Sequence, residues 1–304
     1  MTNSAHSSWL QATARQRIAG LLDPDSFQEF IGPTARVQSP HLRLFDLPSA
    51  FDDGVIIGRG SLDGTPVLLA AQEGQFMGGT FAEVSGAKIV GLLRAARDHE
   101  ELPRAVLLLL DSGGVRLQEA NAGELAVSEA MRAVVEARGA GVAVIALIGG
   151  RAGAFGGAGL TAATCSRIIV SEQGRIGVSG PEVIETNKGV EEFDSRDKAL
   201  VWSVTGGKNR RLIGGADAFT ADTMDGFRAA TKALLGHVPR FDLDTLRAEL
   251  DRLAARQTTF AGCEDAVSMW KILGIDHPEA VSAMDDDAFI ALSNRIKGAN
   301  HDAR

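Results

Sequence analysis

Cysteine is scarce in this 304-residue chain: Cys165 and Cys263 stand alone, without a CxxC pattern. That usage excludes a disulfide-stapled scaffold and a four-cysteine zinc ribbon, and both residues are expected to be reduced core cysteines. The six histidines show neither HExxH nor paired spacing, so no metal site is expected. Long apolar runs are also missing. Residues 106–110 and 142–148 are the longest, far short of the roughly 20 residues a membrane helix needs. Positive charge is in the minority, with 31 Lys and Arg against 39 Asp and Glu and a formal charge of −8. This balance argues against nucleic acid or an anionic membrane surface as the main partner. Residues 1–17 hold no apolar leader segment with a cleavage site, so a cytoplasmic location is expected. No proline- or serine-rich linker divides the chain. The simplest expectation is one domain over 1–304, with a core over about 15–235 and C-terminal helices over about 236–297.

What is present is an ordinary globular balance, 45% hydrophobic and 23% charged, arranged in a recurring order of strand, glycine turn and helix. A short helix containing Ile18, Leu21 and Leu22 ends before Pro24, and Asp25 or Ser26 is expected to cap a further turn. Residues 54–58 and 67–71 predict two strands around a turn at Asp63-Gly64. A glycine pair, Gly78-Gly79, then precedes a helix over 87–97. The order returns with a strand over 105–110, a turn at 111–114 and a helix over 123–138, with Leu125, Val127, Met131, Val134 and Val135 directed inward. A third copy runs from the strand over 141–148 through the turn at 149–164, and residues 167–170 begin another strand. Strands alternating with helices imply an α/β fold with parallel pairing. Residues 186–215, including Lys208-Asn-Arg-Arg211, are expected to form a solvated loop, with a partner contact as the alternative. Helices follow over about 242–253, 266–275 and 285–296, with a frayed tail from 298.

The turn at 149–164 is the centre of this pattern. Six glycines fall within it, after a strand with no polar alternation and before a helix whose first amides lack intrahelical acceptors. Such a turn suits negative charge, because glycine lets a substrate atom approach the backbone. Gly156 and Gly157 are the candidate oxyanion donors, a role worth about 3 kcal/mol per donor in acyl transfer; Gly113 and Gly114 are candidates for the facing wall. A tight turn that only brings helix and sheet together remains the alternative. Gly157-Ala-Gly159 imitates a dinucleotide fingerprint, but too few residues remain before the strand at 167 for the crossover helix. Residues 177–181 fail as a nucleophile elbow because Pro181 replaces the last glycine. Ser112 lacks suitably spaced His and Asp partners.

Four segments in one order, QFMGGTFAE (75–83), DSGGVRLQEA (111–120), GGRAGAFGGAGL (149–160) and IGVSGPEVIE (176–185), resemble the carboxyltransferase branch of the crotonase (ClpP-like) superfamily. Within that branch the chain resembles the malonate decarboxylase β-subunit family. The resemblance runs from about Arg15 to at least Glu185. It implies a superhelix of ββα units with a helical C-terminal flank, not a flat doubly wound sheet. It also implies biotin-independent decarboxylation of malonyl-S-acyl carrier protein through an enolate. The expected partners are a γ subunit of homologous fold, an acyl carrier protein subunit with a phosphopantetheine-type arm, and an acyl carrier transferase subunit; this chain itself is expected to bind no cofactor. Arg116, Gln118, Phe155 and Gly180 form the expected substrate-binding set, with a positioning role open for Arg116 and an ion pair to it for Glu119. Two alternatives stay open: a carboxyltransferase subunit that passes the carboxyl group to biotin, and a scaffold subunit without catalysis.

Overall fold

The computed structural model describes residues 7–44, 46 and 53–300. Its first element, helix α1 (Ala14–Leu21), starts at a capping box in which Thr13 and Gln16 satisfy each other's backbone amides. Residues 24 and 25 form a turn closed by the Ser26 N–H on the Asp23 carbonyl at 3.2 Å; a short strand, β1 (Gln28–Phe30), and a five-residue helix α2 (Pro40–Leu44) follow. Strands β2 (Val55–Leu62) and β3 (Thr65–Gln72) make the expected hairpin. Asp63 and Gly64 both have positive φ, 49° and 74°, the backbone a two-residue hairpin of this hand requires. Asp23 locks that turn. Its carboxylate accepts the Asp63 and Gly64 N–H groups, the Ser61 hydroxyl and Arg228, which together hold it well below the usual carboxylate range.

From β3 onward strands of the sheet, short extended segments and helices recur. These are α3 (Glu83–Asp98), β4 (Ala105–Leu110), α4 (Asn121–Gly139), β5 (Ala143–Ile148), β6 (Ala154–Phe155), α5 (Gly157–Thr164), β7 (Arg167–Val170) and β8 (Ile176–Gly177). Helices α6 (Pro181–Lys188), α7 (Lys198–Thr205) and α8 (Gly207–Leu212) lead to β9 (Ala218–Phe219) and α9 (Met224–Leu235). The C-terminal flank is α10 (Leu243–Thr259), α11 (Ala266–Ile272) and α12 (Asp286–Asn300). The main sheet runs β1-β2-β3-β4-β5-β7-β9, antiparallel through β3 and parallel beyond it. A second, smaller ladder joins β6 to β8 and extends through single bridges, Ser112 to Ala154 and Phe81 to Val115. Each turn of chain thus contributes one strand to the large sheet, one short extended segment to the small one, and a helix. This is the ββα superhelix, and β8 belongs to its second layer instead of prolonging β7.

The apolar runs are unbroken because both faces of the sheet are covered. Val106, Leu108 and Leu110 face the side of α3 and α4, whereas Leu107 and Leu109 face α1 and α9. On α4 the buried residues are Gly123, Ala126, Val127, Ala130, Ala133, Val134 and Ala137. Leu125 and Val135, expected inward, are exposed, because α4 lies so close to its neighbours that only small side chains fit between them. An added Cβ on Gly86 of α3 would stand 2.4 Å from the Ala126 side chain. The loop expected over 186–215 is instead largely helical. Lys208, Asn209 and Arg211 are buried there, since Lys208 pairs with Glu172 at 2.6 Å and Asn209 accepts from the Trp270 indole at 3.1 Å. The tail expected to fray from 298 is helical through 300, and the remainder lies outside the described residues.

Candidate active site

The two glycine turns predicted from sequence come together at the C-terminal ends of β4 and β5. A Cβ built on Gly156 would lie 3.4 Å from the Gly114 Cα, so the two backbones are in direct apposition. Gly156 occupies φ 53°, ψ −124°, a region that is essentially glycine-only, and its carbonyl starts α5 by accepting from Leu160. Gly157 is the first residue of that helix, and a Cβ there would stand 2.2 Å from a Val127 methyl on α4. The absent side chain therefore lets α5 pack on α4 as well as opening the turn.

Hydrogen bonding separates the four glycines. The Gly156 N–H donates to Gly177 O at 3.1 Å in the small ladder, and the Gly113 N–H donates to Gly78 O at 2.9 Å. The Gly114 N–H meets the Ser112 hydroxyl at 3.2 Å. These amides are engaged within the chain, and Gly156, expected as an oxyanion donor, spends its N–H on the small ladder. Among the described residues the Gly157 N–H has no partner, as the open first turn of a helix requires, and the Val115 N–H beside Gly114 has none either. Val115 carries no signal in the sequence. Its amide is left over because the neighbouring groups are consumed by the bridge to Phe81, where Phe81 donates to Gly114 O and Arg116 donates to Phe81 O, both at 2.8 Å.

The expected substrate contacts divide in the same way. Arg116 is 4% exposed; it reaches Glu119, the Asp53 carbonyl and Thr80, and lies over the Phe76 ring. Glu119 in turn accepts the Glu83 N–H at 2.8 Å. Arg116 is thus a buried strut between loops, paired with Glu119 in the positioning role open for it. The Phe155 ring is also buried, against Gly153, Gly177 and the Arg175 guanidinium, so its side chain presents nothing to the turn. Gln118 is exposed on the following short helical turn, and Gly180 caps α6, its carbonyl accepting from Val183 and Ile184.

Beneath the turns lies a residue whose role the sequence did not reveal. Asp111, at the end of β4, is 2% exposed and pairs with Arg17 of α1 at 2.7 Å. Its other oxygen accepts the Ala152 N–H at 2.7 Å, and its own N–H meets Gln72 at 3.2 Å. A Cβ on Gly150 would come within 2.1 Å of this carboxylate, and one on Gly74 within 2.5 Å. One buried charge therefore ties together the loops after β3, β4 and β5. Of the two cysteines, Cys165 is buried, and burial pushes its thiol up to about 12. Among the described residues no group of His, Cys, Asp and Glu is arranged to hold a metal, and no helix is long and apolar enough to cross a membrane.

Superhelix and paired glycine turns define the class, a crotonase-like carboxyltransferase fold. The chain belongs to the carboxyl transferase domain family, whose model matches residues 10–250. A malonyl-S-ACP:biotin-protein carboxyltransferase from Malonomonas rubra is 38% identical, over 97% of this chain and 98% of that protein. Among solved structures, a Pseudomonas malonate decarboxylase hetero-tetramer in complex with malonate matches at 43% identity and a TM-score of 0.77, over 88% of this chain and 98% of that one. The methylmalonyl-CoA carboxyltransferase 12S subunit of Propionibacterium freudenreichii is 30% identical over 77% of this chain, which spans 42% of that longer protein.

Proposed function

We propose that this chain is the β subunit of a biotin-independent malonate decarboxylase, acting with a γ subunit of similar fold on malonyl-S-acyl carrier protein. The supporting observation is the pair of unengaged amides, Val115 and Gly157, on two glycine turns in direct contact. In this reading the C–C bond to the carboxylate breaks, CO2 departs, and its electron pair enters the thioester carbonyl to give an enolate. The new charge sits on one oxygen, where the two N–H groups bind it better than they bind the ground-state carbonyl. Protonation of the enolate carbon by water then yields the acetyl thioester. No titrating side chain of this chain is required, which agrees with Arg116 and Glu119 being turned away and consumed by each other. The malonyl group arrives on the phosphopantetheine-type arm of a carrier protein loaded by a transferase subunit, and the reaction belongs in the cytoplasm. Similarity to the Pseudomonas assemblies supports the partner of similar fold.

Similarity to the biotin-protein carboxyltransferase favours a second reading, in which the same enolate chemistry hands the carboxyl group to a biotin carrier. CO2 release from malonyl carrier protein by the chain co-purified with its partner, with and without biotin carrier and avidin, decides between them. Release indifferent to avidin supports the decarboxylase; release that needs biotin and is blocked by avidin moves the assignment to the transferase. Replacing the residue-157 amide by a backbone ester deletes the N–H without adding a Cβ. The expected result is a fall in kcat of about 10²–10³ with assembly intact. An unchanged rate would remove Gly157 from the site.

A further inference from the structure

A cavity of about 590 Å³ opens beside the glycine turns, at the C-terminal ends of β5 and β7, with Arg151, Glu172, Arg175, Lys198, Trp202 and Lys208 in its wall. Its charge is unlike that of the chain, which carries −8 overall. Glu172 is the one carboxylate among these residues, and Lys208 neutralises it at 2.6 Å while also donating to the Met284 carbonyl at 2.6 Å. Lys208 is therefore spent.

The other three cations are not. Arg175 lies 4.7 Å from the Trp202 ring centroid and 5.6 Å from that of Phe155, and its guanidinium donates to the Arg151 carbonyl. Its Nε is buried without any hydrogen-bond partner. Glu182 and Asp111 act on Arg175 only at longer range, with no hydrogen bond to it. Among the described residues, the exposed side chains of Arg151 and Lys198 have no acidic partner. Lys198 opens α7, the helix end whose dipole disfavours a cation, and the adjacent Asp197 spends an oxygen on the Leu200 N–H. Three cations without an ion-pair partner thus line one cavity, with hydrogen-bond donors free for an anionic occupant.

We propose that this cavity is a binding site for a small organic or inorganic dianion, a dicarboxylate or a phosphate group, held by Arg151, Arg175 and Lys198 against the Trp202 face. The two arginines supply planar, bidentate donor forks, and the indole excludes water from one side. Neither Val115 nor Gly157 is among the residues of its wall, and the proposal does not depend on the decarboxylase reading.

The test is calorimetric titration of the full chain at low ionic strength with malonate and, separately, with inorganic phosphate. Saturable one-to-one binding of either dianion is expected, and the preferred one assigns the site to carboxylate or phosphate chemistry. The exposed double variant Arg151→Gln/Lys198→Gln should weaken binding about tenfold or more, whereas Arg151→Lys/Lys198→Arg should stay within about threefold of the parent. Thermal melting of both variants should match the parent, since neither side chain supports the fold. Failure of both dianions to bind at about 10 mM, or binding unaffected by the charge-removing variant, would overturn the proposal.

Discussion

At the scale of single residues, the candidate site depends on backbone that no other side chain permits. Gly156→Ala places a Cβ on a strained backbone against Gly114, and a loss of about 1–3 kcal/mol is expected, read by urea unfolding, together with slower CO2 release if the reaction is the one proposed above. The cysteines make a second test. Burial raises the Cys165 pKa to about 12, so near pH 8 it remains a protonated, shielded thiol, whereas Cys263 is partly exposed. A disulfide reagent should therefore titrate one thiol in the folded chain and two after denaturation. The glycine pairs themselves were legible in the sequence, because glycines crowding the end of an apolar run mark a sharp turn where backbone is laid bare. Which N–H groups stay free was not legible: it depends on Gly177 and Gly78, carbonyls brought in by other turns of the superhelix.

At the scale of elements, helix contacts decide what a substitution does. Gly157→Ala drives a Cβ into Val127 and should cost about 1–3 kcal/mol by overpacking, with Val127→Ala in the same chain restoring part of that loss. A cycle that is purely additive would show that α4 and α5 do not meet there. The β2–β3 hairpin carries a pH signature. Asp23 is held below its unfolded value by the turn amides, Ser61 and Arg228, so its contribution is complete above the unfolded pKa near 4 and is lost as pH falls through the folded one. Asp23→Asn should lower stability at neutral pH and flatten the acid limb of the stability curve. Strand and helix positions were readable from the apolar periodicity, with β4 found at the predicted residues. The inward face of α4 was not, because a close helix contact selects alanine over leucine, and hydrophobicity alone ranks those in the opposite order.

At the scale of the whole molecule, the sequence resemblance carried the superhelical architecture, which strand order alone did not distinguish from a doubly wound sheet. Less of the C-terminal flank was legible. The leucines at 243, 246, 250 and 253 have helical spacing, yet α10 buries none of its residues. Periodicity records a face that needs cover without saying where the cover comes from. The Arg17–Asp111 pair belongs to this scale as well, since it joins α1 to the loops of three strands. Buried pairs add little net stability, but removing one partner leaves the other charge stranded. Asp111→Asn should cost about 3–5 kcal/mol by equilibrium unfolding, and Arg17→Gln in the same chain should recover part of it.

The same pair sets an order of events. Its two residues are 94 positions apart, so closing it costs more chain entropy than any contact within the hairpin, and Asp111 must be synthesised before it can form. The loops that carry the glycine turns are joined to α1 through that contact, where the guanidinium reaches the carboxylate. During synthesis Arg17 emerges well before Asp111, so the N-terminal helix carries an unpaired guanidinium until a much younger part of the chain supplies the carboxylate.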